Sequence, residues 1–310
     1  MGAVDRYEFL KARAEGPEDV RTIERIVEQR RSLMRGSSPK TAGEKARSGG
    51  RTYLHGAEEP HEEPLRLRIF GLDLLLSPSL APSSIDTLVE VFRDRAHMRF
   101  PGFSGEELSA APGDVPTLLD IGANEGFYSL AMQQANPHLR IFAVEPNPQV
   151  YALLTENCRR NGNGIRPIHT AVTDTSGTIE LETYPHLSTM SSRRIEEMEQ
   201  SWMDVRRIRR IQVPAVSLDQ LMREEEIGRV DLLKIDVEGE EEALIEGARN
   251  PCGESDKRHS CSCLQRVDRL VLEWHSEELK ERCISQLGSE GFELLHEEPH
   301  RFGDLYFGRP

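Results

Sequence analysis

Short apolar runs alternate with helical segments in the second half of the chain, and this alternation constrains the fold most. After Pro116 the runs are TLLDIG, LRIFAVE, RPIHTAV, VDLLKIDV and RLVLEW. Strands that alternate with helices favour a mainly parallel sheet covered on both faces. The final stretch, FELLHEEPHRFGDLYFG, predicts two strands joined by a short loop, and therefore an antiparallel pair. We expect a doubly wound α/β fold with a reversed strand near the C-terminus.

The first strand-to-helix turn of this sheet carries glycines and polar residues, in the sequence LLDIGANEGFYSL. In an open α/β sheet such a turn lies at the carboxyl edge, where ligands bind. Gly122 and Gly126 remove side chains where the backbone bends and where a ligand approaches it closely. Asp120, at the strand end, can accept hydrogen bonds from the loop or from a cationic ligand group. The turn is therefore a candidate ligand site.

The second run ends in Glu145, a carboxylate well placed to bind both hydroxyls of a ribose. A dinucleotide site has the spacing G-x-G-x-x-G, whereas this turn has Asp-x-Gly-x-x-x-Gly, and Glu125 would face a phosphate with like charge. These features favour a ligand with a ribose, no phosphate and a positively charged amino-acid tail, which describes S-adenosylmethionine. A nicotinamide-dependent oxidoreductase on a similar sheet remains the alternative.

Six segments, taken in order, resemble the FkbM-type S-adenosylmethionine-dependent methyltransferases. They are LLDIGANEGFYSLAM, FAVEPNPQVYALLTENCRRNG, AVTDTSGTIEL, VPAVSLDQLM, VDLLKIDVEGEEEALIEGA and LVLEWH. The resemblance covers Leu65 to Gly308, and its most specific elements are DIGANEGFYS and KIDVEGEE. It implies a class I methyltransferase with a Rossmann-like, seven-stranded, mainly parallel sheet and one antiparallel C-terminal strand. It also implies methyl transfer, usually to an oxygen of the acceptor.

The resemblance also implies which residues bind the cofactor. Those expected to line its methionine and ribose portion are Asp120, Gly122, Ala123, Asn124 and Gly126. Glu145 is expected to hold the ribose hydroxyls. Asp174 follows the third strand, where this fold usually recognises adenine, although a capping role in the turn before Gly177 is equally economical.

The segment LLKIDVEGEE places charged residues in an apolar strand. On an alternating strand Lys234, Asp236 and Glu238 share one face. Buried charges are costly when unpaired, so a paired and partly wet cleft is their natural environment. The alternative is purely structural, with a Lys-Asp ion pair and Glu238 at the N-terminus of the next helix, where a carboxylate is favoured.

His275 follows the next strand, whose carboxyl edge is expected close to that of Asp236. Histidine titrates near neutral pH and can take a proton from an acceptor hydroxyl, although a histidine at a strand end is often structural. We predict the catalytic residues to be Asp236, His275, Lys234 and Glu238. In-line transfer mainly requires that donor and acceptor are aligned and that a base is present.

Metal binding is the alternative for this cluster, since Asp236, Glu238, Glu273 and His275 can ligate a divalent cation. No spacing is diagnostic, and we predict no metal ligand. The stretch NPCGESDKRHSCSC offers four soft ligands, but its Cys-x-Cys is tighter than zinc motifs usually are, which favours a surface loop with free thiols. These four are Cys252, His259, Cys261 and Cys263.

A second inserted stretch, SSRRIEEMEQSWMDVRRIRRI, mixes charges at helical spacing. It is typical of a solvated, salt-bridged helix, and a lid over the acceptor pocket is the alternative. Ser188, Thr189 and Ser191, at its start, are candidates for contact with cofactor or acceptor.

The N-terminal region differs in composition from the rest. Residues 17–35 carry a helical pattern, and the Gly/Ser/Pro-rich stretch after it predicts a flexible linker. We therefore predict a charged helix with a linker over residues 1–64 and a methyltransferase domain over residues 65–310. Within the latter we expect a strand pair around Gly71 and a helix over Ser84–Arg95 capped by Ser84.

Charge and composition limit the partners. The 310 residues include 39 Lys and Arg against 53 Asp and Glu, and the net charge of −14 disfavours nucleic acid and anionic membranes. No apolar run approaches the roughly 20 residues of a membrane span, and Met1–Arg35 lacks the apolar region of a secretory signal. Five cysteines in a long chain suit a reducing compartment. We expect a cytoplasmic enzyme with a small-molecule acceptor; a non-catalytic interaction protein that keeps the fold is the rival.

Overall fold

The computed structural model describes residues 3–36, 63–109, 114–162, 164–184, 191–192, 208–249, 262–299 and 303–310. These residues group into two compact units. The first comprises the described parts of residues 1–89 and 180–211, and the second those of residues 90–179 and 212–310.

The described helices are α1 (Ala3–Lys11), α2 (Pro17–Gly36), α3 (Ala81–Phe92), α4 (Phe127–Ala135), α5 (Pro148–Asn161), α6 (Leu218–Glu224), α7 (Glu241–Arg249) and α8 (Glu277–Ser289). The described strands are β1 (Leu65–Ile69), β2 (Leu72–Leu76), β3 (Thr117–Ile121), β4 (Arg140–Val144), β5 (Ile165–Ile168), β6 (Ala171–Val172), β7 (Gly177–Thr183), β8 (Ser191–Ser192), β9 (Arg209–Val216), β10 (Val230–Ile235), β11 (Val267–Glu273), β12 (Glu293–Glu297) and β13 (Asp304–Gly308).

The first unit is built on the hairpin of β1 and β2. The two strands pair antiparallel, and Phe70 and Gly71 make the turn with positive φ. Helix α2 contacts β1 through Asp19, whose carboxylate accepts from the backbone N–H of Arg68 at 2.9 Å and from its guanidinium at 3.2 Å. The predicted strand pair and the helix over residues 17–35 are confirmed, and α1 is an additional helix.

Two expectations for the N-terminal half have different outcomes. The predicted linker falls largely on residues 37–62, which lie outside the described residues, so the division at residues 64 and 65 stays a prediction. The cap assigned to Ser84 is wrong. Helix α3 begins at Ala81, and the Ser84 hydroxyl donates to the carbonyl of Leu80 from inside the first turn. Pro82 suits this earlier start because its missing N–H is not needed there.

The second unit contains a seven-stranded sheet in the order β12-β13-β11-β10-β3-β4-β5. Strands β11, β10, β3, β4 and β5 pair parallel, and β13 pairs antiparallel with both of its neighbours. This arrangement confirms the predicted α/β fold with one reversed C-terminal strand. The chain order reverses between β3 and β10, and ligands of open α/β sheets bind at the carboxyl edge of such a switch point.

Both faces of the central strands are buried. Leu119 and Ile121 of β3 belong to one apolar cluster with Leu233 and Ile235 of β10 and with buried residues of α6, α7 and α8. The intervening residues project to the opposite face. Among them Asp120 and Lys234 are register partners and are also buried. Two charged groups therefore lie side by side on the face opposite this cluster.

The third apolar run, RPIHTAV, is divided between two strands. Residues Ile165–Ile168 form β5 at the edge of the large sheet, whereas Ala171 and Val172 form β6 and pair parallel with β9. The single strand expected there is therefore wrong. His169 lies between the two segments, stacks on Tyr151 of α5 and contacts the Pro146 carbonyl at 3.0 Å.

None of the helices that the structure describes has the length and apolar character needed to cross a membrane.

Candidate functional site

Gly122 lies where the turn after β3 meets the loop after β10. Its φ is +78°, its N–H donates to the Val144 carbonyl at 3.0 Å, and the Asp236 N–H donates to the Ile121 carbonyl at 3.1 Å. A Cβ at residue 122 would lie 1.7 Å from the Asp236 carbonyl oxygen. The position that a side chain would take at residue 122 is thus filled by the protein's own backbone, and the role of Gly122 in binding a cofactor stays a prediction.

Gly126 and Glu125 belong to the packing of α5. Gly126 has a φ of +89°, and a Cβ there would lie 2.7 Å from the Leu154 side chain. Glu125 is completely buried, and its carbonyl accepts from the Asn157 amide at 3.1 Å. The Glu125 carboxylate is therefore not displayed on the surface of the turn. Only the loop spacing still argues against a pyrophosphate ligand.

The buried Glu145 and the half-buried Asn124 form a polar pair at the ends of β3 and β4. The Glu145 carboxylate accepts from the backbone N–H of Asn124 at 3.1 Å and from that of Asn147 at 2.8 Å. The Asn124 side-chain carbonyl oxygen is buried without a hydrogen-bond partner among the residues that the structure describes. Burial raises the pKa of Glu145 to about 7, although both backbone donors favour its ionised form.

Lys234 ties the two neighbouring strand ends together. Its Nζ lies 3.3 Å from the Asp120 carboxylate and 3.1 Å from that of Asp236, and it donates to the Gly122 carbonyl at 2.8 Å. Ser129 of α4 donates to the other oxygen of Asp120 at 2.6 Å. Burial opposes the charge on Lys234, but Asp236 and Asp120 together raise its pKa. The Lys-Asp ion pair of the structural interpretation is therefore present.

Asp236, Glu238 and His275 meet at the carboxyl edge of β10 and β11, as predicted. The His275 Nδ1 lies 2.8 Å from Glu241, the first residue of α7, and its Nε2 lies 3.3 Å from Glu238. Burial disfavours the imidazolium, yet Glu238 and Glu241 raise the pKa of His275 well above its usual value. Glu238 has a φ of +53° at the turn into α7.

His97 is the main residue that the sequence interpretation did not name. It lies between α3 and β3, and its Nδ1 is 2.6 Å from the Asp304 carboxylate at the start of β13. Burial alone would lower the pKa of His97, but Asp304 raises it to about 9. The His97 ring also contacts Tyr128 edge to face at 5.6 Å between centroids.

The remaining carboxylates of this cluster respond to different neighbours. Burial acts to raise the pKa of Asp236, but Lys234 and then His97 outweigh it and lower that pKa. For Glu273, burial and the nearby Asp236 carboxylate raise the pKa to about 8. Asp236 is thus held ionised, whereas Glu273 is close to its titration midpoint at mildly alkaline pH.

The last predicted cofactor residue, Asp174, lies after β6. Its carboxylate accepts from the Thr173 hydroxyl at 3.0 Å, and its backbone packs closely on Gly247 of α7. These contacts suit the turn, and the role in adenine recognition stays a prediction. The roles given to the other cofactor and catalytic residues stay predictions in the same way.

Several candidates fall outside the described residues, among them the lid helix over residues 193–207 and five named side chains. Those side chains are Cys252, His259, Cys261, Ser188 and Thr189. Ser191 lies in β8, but its side chain is not described. Cys263 is buried, in a short 3-10 helix, and its thiol contacts the Ala248 carbonyl. For Cys263 the expectation of a surface thiol is therefore wrong.

A cleft with a volume of about 470 Å³ is lined by residues of the segment 94–107, and His97 is not among them. Arg95, Arg99 and Phe100 contribute to its lining. This volume is in the range of small-molecule sites.

The chain matches the sequence profile of a family described as the methyltransferase FkbM domain, over residues 120–292. Methyltransferase sdnD of Sordaria araneosa is 26% identical over 206 residues, which are 59% of this chain and 75% of that protein. 31-O-demethyl-FK506 methyltransferase FkbM of Streptomyces tacrolimicus is 29% identical, over 52% of this chain and 67% of that protein. Hexuronic acid methyltransferase AglP of Haloferax volcanii is 26% identical, over 51% of this chain and 56% of that protein.

Among solved structures, M. jannaschii TYW2 in complex with AdoMet aligns with a TM-score of 0.41 at 13% identity, over 83% of this chain and 92% of that chain. This likeness is too low to support an argument, and the fold assignment rests on the observed strand order. The profile spans the turn after β3, Lys234 and the cluster around Asp236. The chain belongs to the methyltransferase FkbM domain family.

Proposed function

We propose that this protein is an S-adenosylmethionine-dependent O-methyltransferase whose acceptor is a hydroxyl or carboxyl group of a small molecule. The observation that carries the proposal is the juxtaposition of two sites at one sheet edge. Glu145 and Asn124 form a polar clamp at β3 and β4. An acid and histidine cluster lies at the ends of β10, β11 and β13, and its members are His97, Asp236, Glu238, Glu273, His275 and Asp304. Membership of a methyltransferase family supports the class of reaction.

The clamp fits the cofactor. A carboxylate can accept about four hydrogen bonds, and Glu145 accepts two from backbone amides, which leaves capacity for the two hydroxyls of a ribose. The buried Asn124 oxygen would accept from a further donor group. When bound, S-adenosylmethionine supplies an electrophilic methyl group on a sulfonium. Asp120 would hold the positively charged tail, as the resemblance implies, and Asp174 the adenine.

The cluster supplies the base that an oxygen acceptor requires. We assign to His275 the role of taking the acceptor proton at Nε2, with Glu241 fixing the ring through Nδ1. Asp236 would orient the acceptor, and Lys234 would position Asp236 and keep it ionised. Glu238 pairs with His275 and would stabilise its protonated form. The raised pKa of His275 makes it a stronger base, but a smaller fraction of it is unprotonated at neutral pH. Activity should therefore increase with pH.

Two relatives support an oxygen acceptor on a small molecule. One is named for a 31-O-demethyl substrate and the other for a hexuronic acid. We assign the acceptor to the cleft lined by residues of the segment 94–107, and the excess of acidic residues argues against nucleic acid in that role. A cytoplasmic location is part of the same proposal.

The test begins with binding. We would titrate the purified protein calorimetrically with S-adenosylmethionine, S-adenosylhomocysteine and NAD⁺ in parallel. We expect the first two to bind and NAD⁺ not to bind. Binding of NAD⁺ without S-adenosylmethionine would instead favour the oxidoreductase.

Transfer is tested with methyl-labelled S-adenosylmethionine and fractionated cell extract. Label is expected in a small molecule. If the acceptor is a hydroxyl, the product is an ether that is stable to mild base; if it is a carboxyl group, the product is an ester that mild base hydrolyses. Label in nucleic acid or protein would overturn the proposed acceptor class. Tight cofactor binding without transfer to any fraction would favour the non-catalytic rival.

A further inference from the structure

His97 is held so that one ring nitrogen stays open towards the cluster. The Asp304 carboxylate contacts Nδ1 at 2.6 Å and accepts the His97 backbone N–H at 2.7 Å. The Tyr306 hydroxyl donates to the same carboxylate at 3.0 Å. With Nδ1 engaged on one side of the ring, Nε2 faces the opposite direction.

The groups that Nε2 faces are Asp236 and Glu273. Nε2 lies 3.9 Å from a carboxylate oxygen of Asp236 and 3.7 Å from one of Glu273. Both separations exceed a hydrogen bond. Two ligands bound to one metal at about 2.1 Å lie roughly 3.0–3.4 Å apart at octahedral or tetrahedral angles, and at most about 4.2 Å apart when they are opposite. One ligand atom from each of the three residues lies within 4.8 Å of the others. A cation between them would reach all three with small side-chain movements.

Carboxylates outnumber positively charged groups around these residues. Six carboxylates contact one ammonium group and two imidazoles, so even with both histidines protonated the carboxylates outnumber the positive charges by three when all are ionised. Like charges in a mostly buried site repel strongly, and a divalent cation would relieve this repulsion. The six are Asp120, Asp236, Glu238, Glu241, Glu273 and Asp304.

A second group lies beside the first and shares Asp236 with it. The ligand atoms of Asp236, Glu238 and His275 also lie within 4.8 Å of one another. In that group, however, His275 Nε2 already pairs with Glu238 at 3.3 Å, and a cation would compete with this ion pair. His97 Nε2 has no carboxylate of the described residues as close as this, so the first group is the better cation site.

We propose that His97, Asp236 and Glu273 bind a divalent first-row transition metal ion. One imidazole nitrogen with two carboxylates suits Mn²⁺ or Fe²⁺ better than Mg²⁺. Asp304 fixes the ring through Nδ1, as carboxylates commonly do behind metal-binding histidines. The sequence alone offers Asp236 and Glu273 as alternative metal ligands, and His97 completes the set. A bound cation lowers the pKa of a hydroxyl that it contacts, which is the role of the metal if the proposed O-methyltransferase function is correct.

The test measures metal binding without any cofactor or acceptor. The full-length protein is stripped with EDTA and titrated with Mn²⁺, and free Mn²⁺ is followed by its electron paramagnetic resonance signal. We expect one saturable site, with Zn²⁺ competing and Mg²⁺ binding at least about tenfold more weakly. Absence of a saturable Mn²⁺ site would overturn the proposal.

Variants locate the site. Glu273→Gln and Asp236→Asn should each weaken Mn²⁺ binding by at least tenfold, and Asp304→Asn by about 10- to 100-fold. The matched control is Asp268→Asn, on the same strand as Glu273 and paired with Arg229 at the surface, which should bind as the wild type does. Circular dichroism and thermal unfolding check each fold. Unchanged affinity in both folded ligand variants would also overturn the proposal.

The outcome is separable from that of the proposed function. A Mn²⁺ site in a protein that transfers no methyl group would support the proposed metal site and contradict the proposed O-methyltransferase function. Methyl transfer that continues in EDTA, in a protein without a Mn²⁺ site, would contradict the proposed metal site and support the proposed O-methyltransferase function.

Discussion

The clamp at β3 and β4 and the cluster at β10, β11 and β13 lie on the same sheet edge, but they are assembled differently. In the clamp, Asn124 and Glu145 are 21 residues apart, and backbone amides supply the hydrogen bonds. In the cluster, His97 and Asp304 are 207 residues apart, and side chains contact side chains. The clamp is therefore set by local turns, whereas the cluster depends on strand order.

The largest expected effect concerns the turn that positions the clamp. Gly122→Ala would place a methyl group against the Asp236 carbonyl, at a residue with left-handed backbone conformation. We expect the free energy of unfolding to decrease by more than about 3 kcal/mol. Chemical denaturation measures this. The control is Gly288→Ala in α8, where a Cβ meets nothing within 4 Å, and it should stabilise the protein by about 0.5–1 kcal/mol. Equal stability of the two variants would contradict the packing argument.

The next effect is on the cofactor. Glu145→Ala removes the acceptor assigned to the ribose hydroxyls, and we expect S-adenosylmethionine affinity to decrease about 100-fold, or ~2.7 kcal/mol. Titration calorimetry measures this, with the exposed Glu278→Ala as the control. Wild-type affinity in Glu145→Ala would show that the ribose assignment is wrong.

A substitution in the cluster should change the rate of methyl transfer and not the affinity for the cofactor. His275→Ala removes the proposed base, so we expect kcat to decrease by about 100-fold while the Kd for S-adenosylmethionine stays within about threefold. Steady-state kinetics and calorimetry on one preparation separate the two effects. A parallel loss of affinity and rate would mean that the two regions act as one site.

The smallest effect is on stability. The pKa of Glu273 is about 8 in the folded protein, above its value of 4.5 in a free chain. The folded state thus binds this proton more tightly, and stability decreases as pH increases from 4.5 to about 8. Glu273→Gln, in EDTA, should raise the melting temperature by about 2–6 °C at pH 8.5 and have little effect at pH 4.5. A stabilisation that does not change with pH would contradict this assignment.

The sequence predicts the frame and the clamp because both depend on local patterns. Apolar runs locate β3, β4, β10 and β11, and Asn147 with Pro148 marks the start of α5, where the Asn147 side chain accepts from Gln149. Glu145 is identified by its position at a strand end. The C-terminal reversal follows from two runs separated by a short loop.

The sequence does not predict the other half of the cluster. His97 sits in a stretch without periodicity, and Asp304 is one acidic residue among many until β13 is known to insert between β11 and β12. The burial of Glu125 and the contact of Gly122 with the Asp236 carbonyl likewise depend on which elements meet in space. These features require the assembled sheet.

Lys234 couples the two regions because its ammonium group forms an ion pair with a carboxylate on each side. Its ammonium group contacts Asp120 on the clamp side and Asp236 on the cluster side. An occupant that draws Asp236 away from Lys234 redistributes the charge felt by Asp120, so filling one region changes the free energy of filling the other. Linkage requires this coupling to be reciprocal: the factor by which a cation alters the cofactor's dissociation constant must equal the factor by which the cofactor alters the cation's.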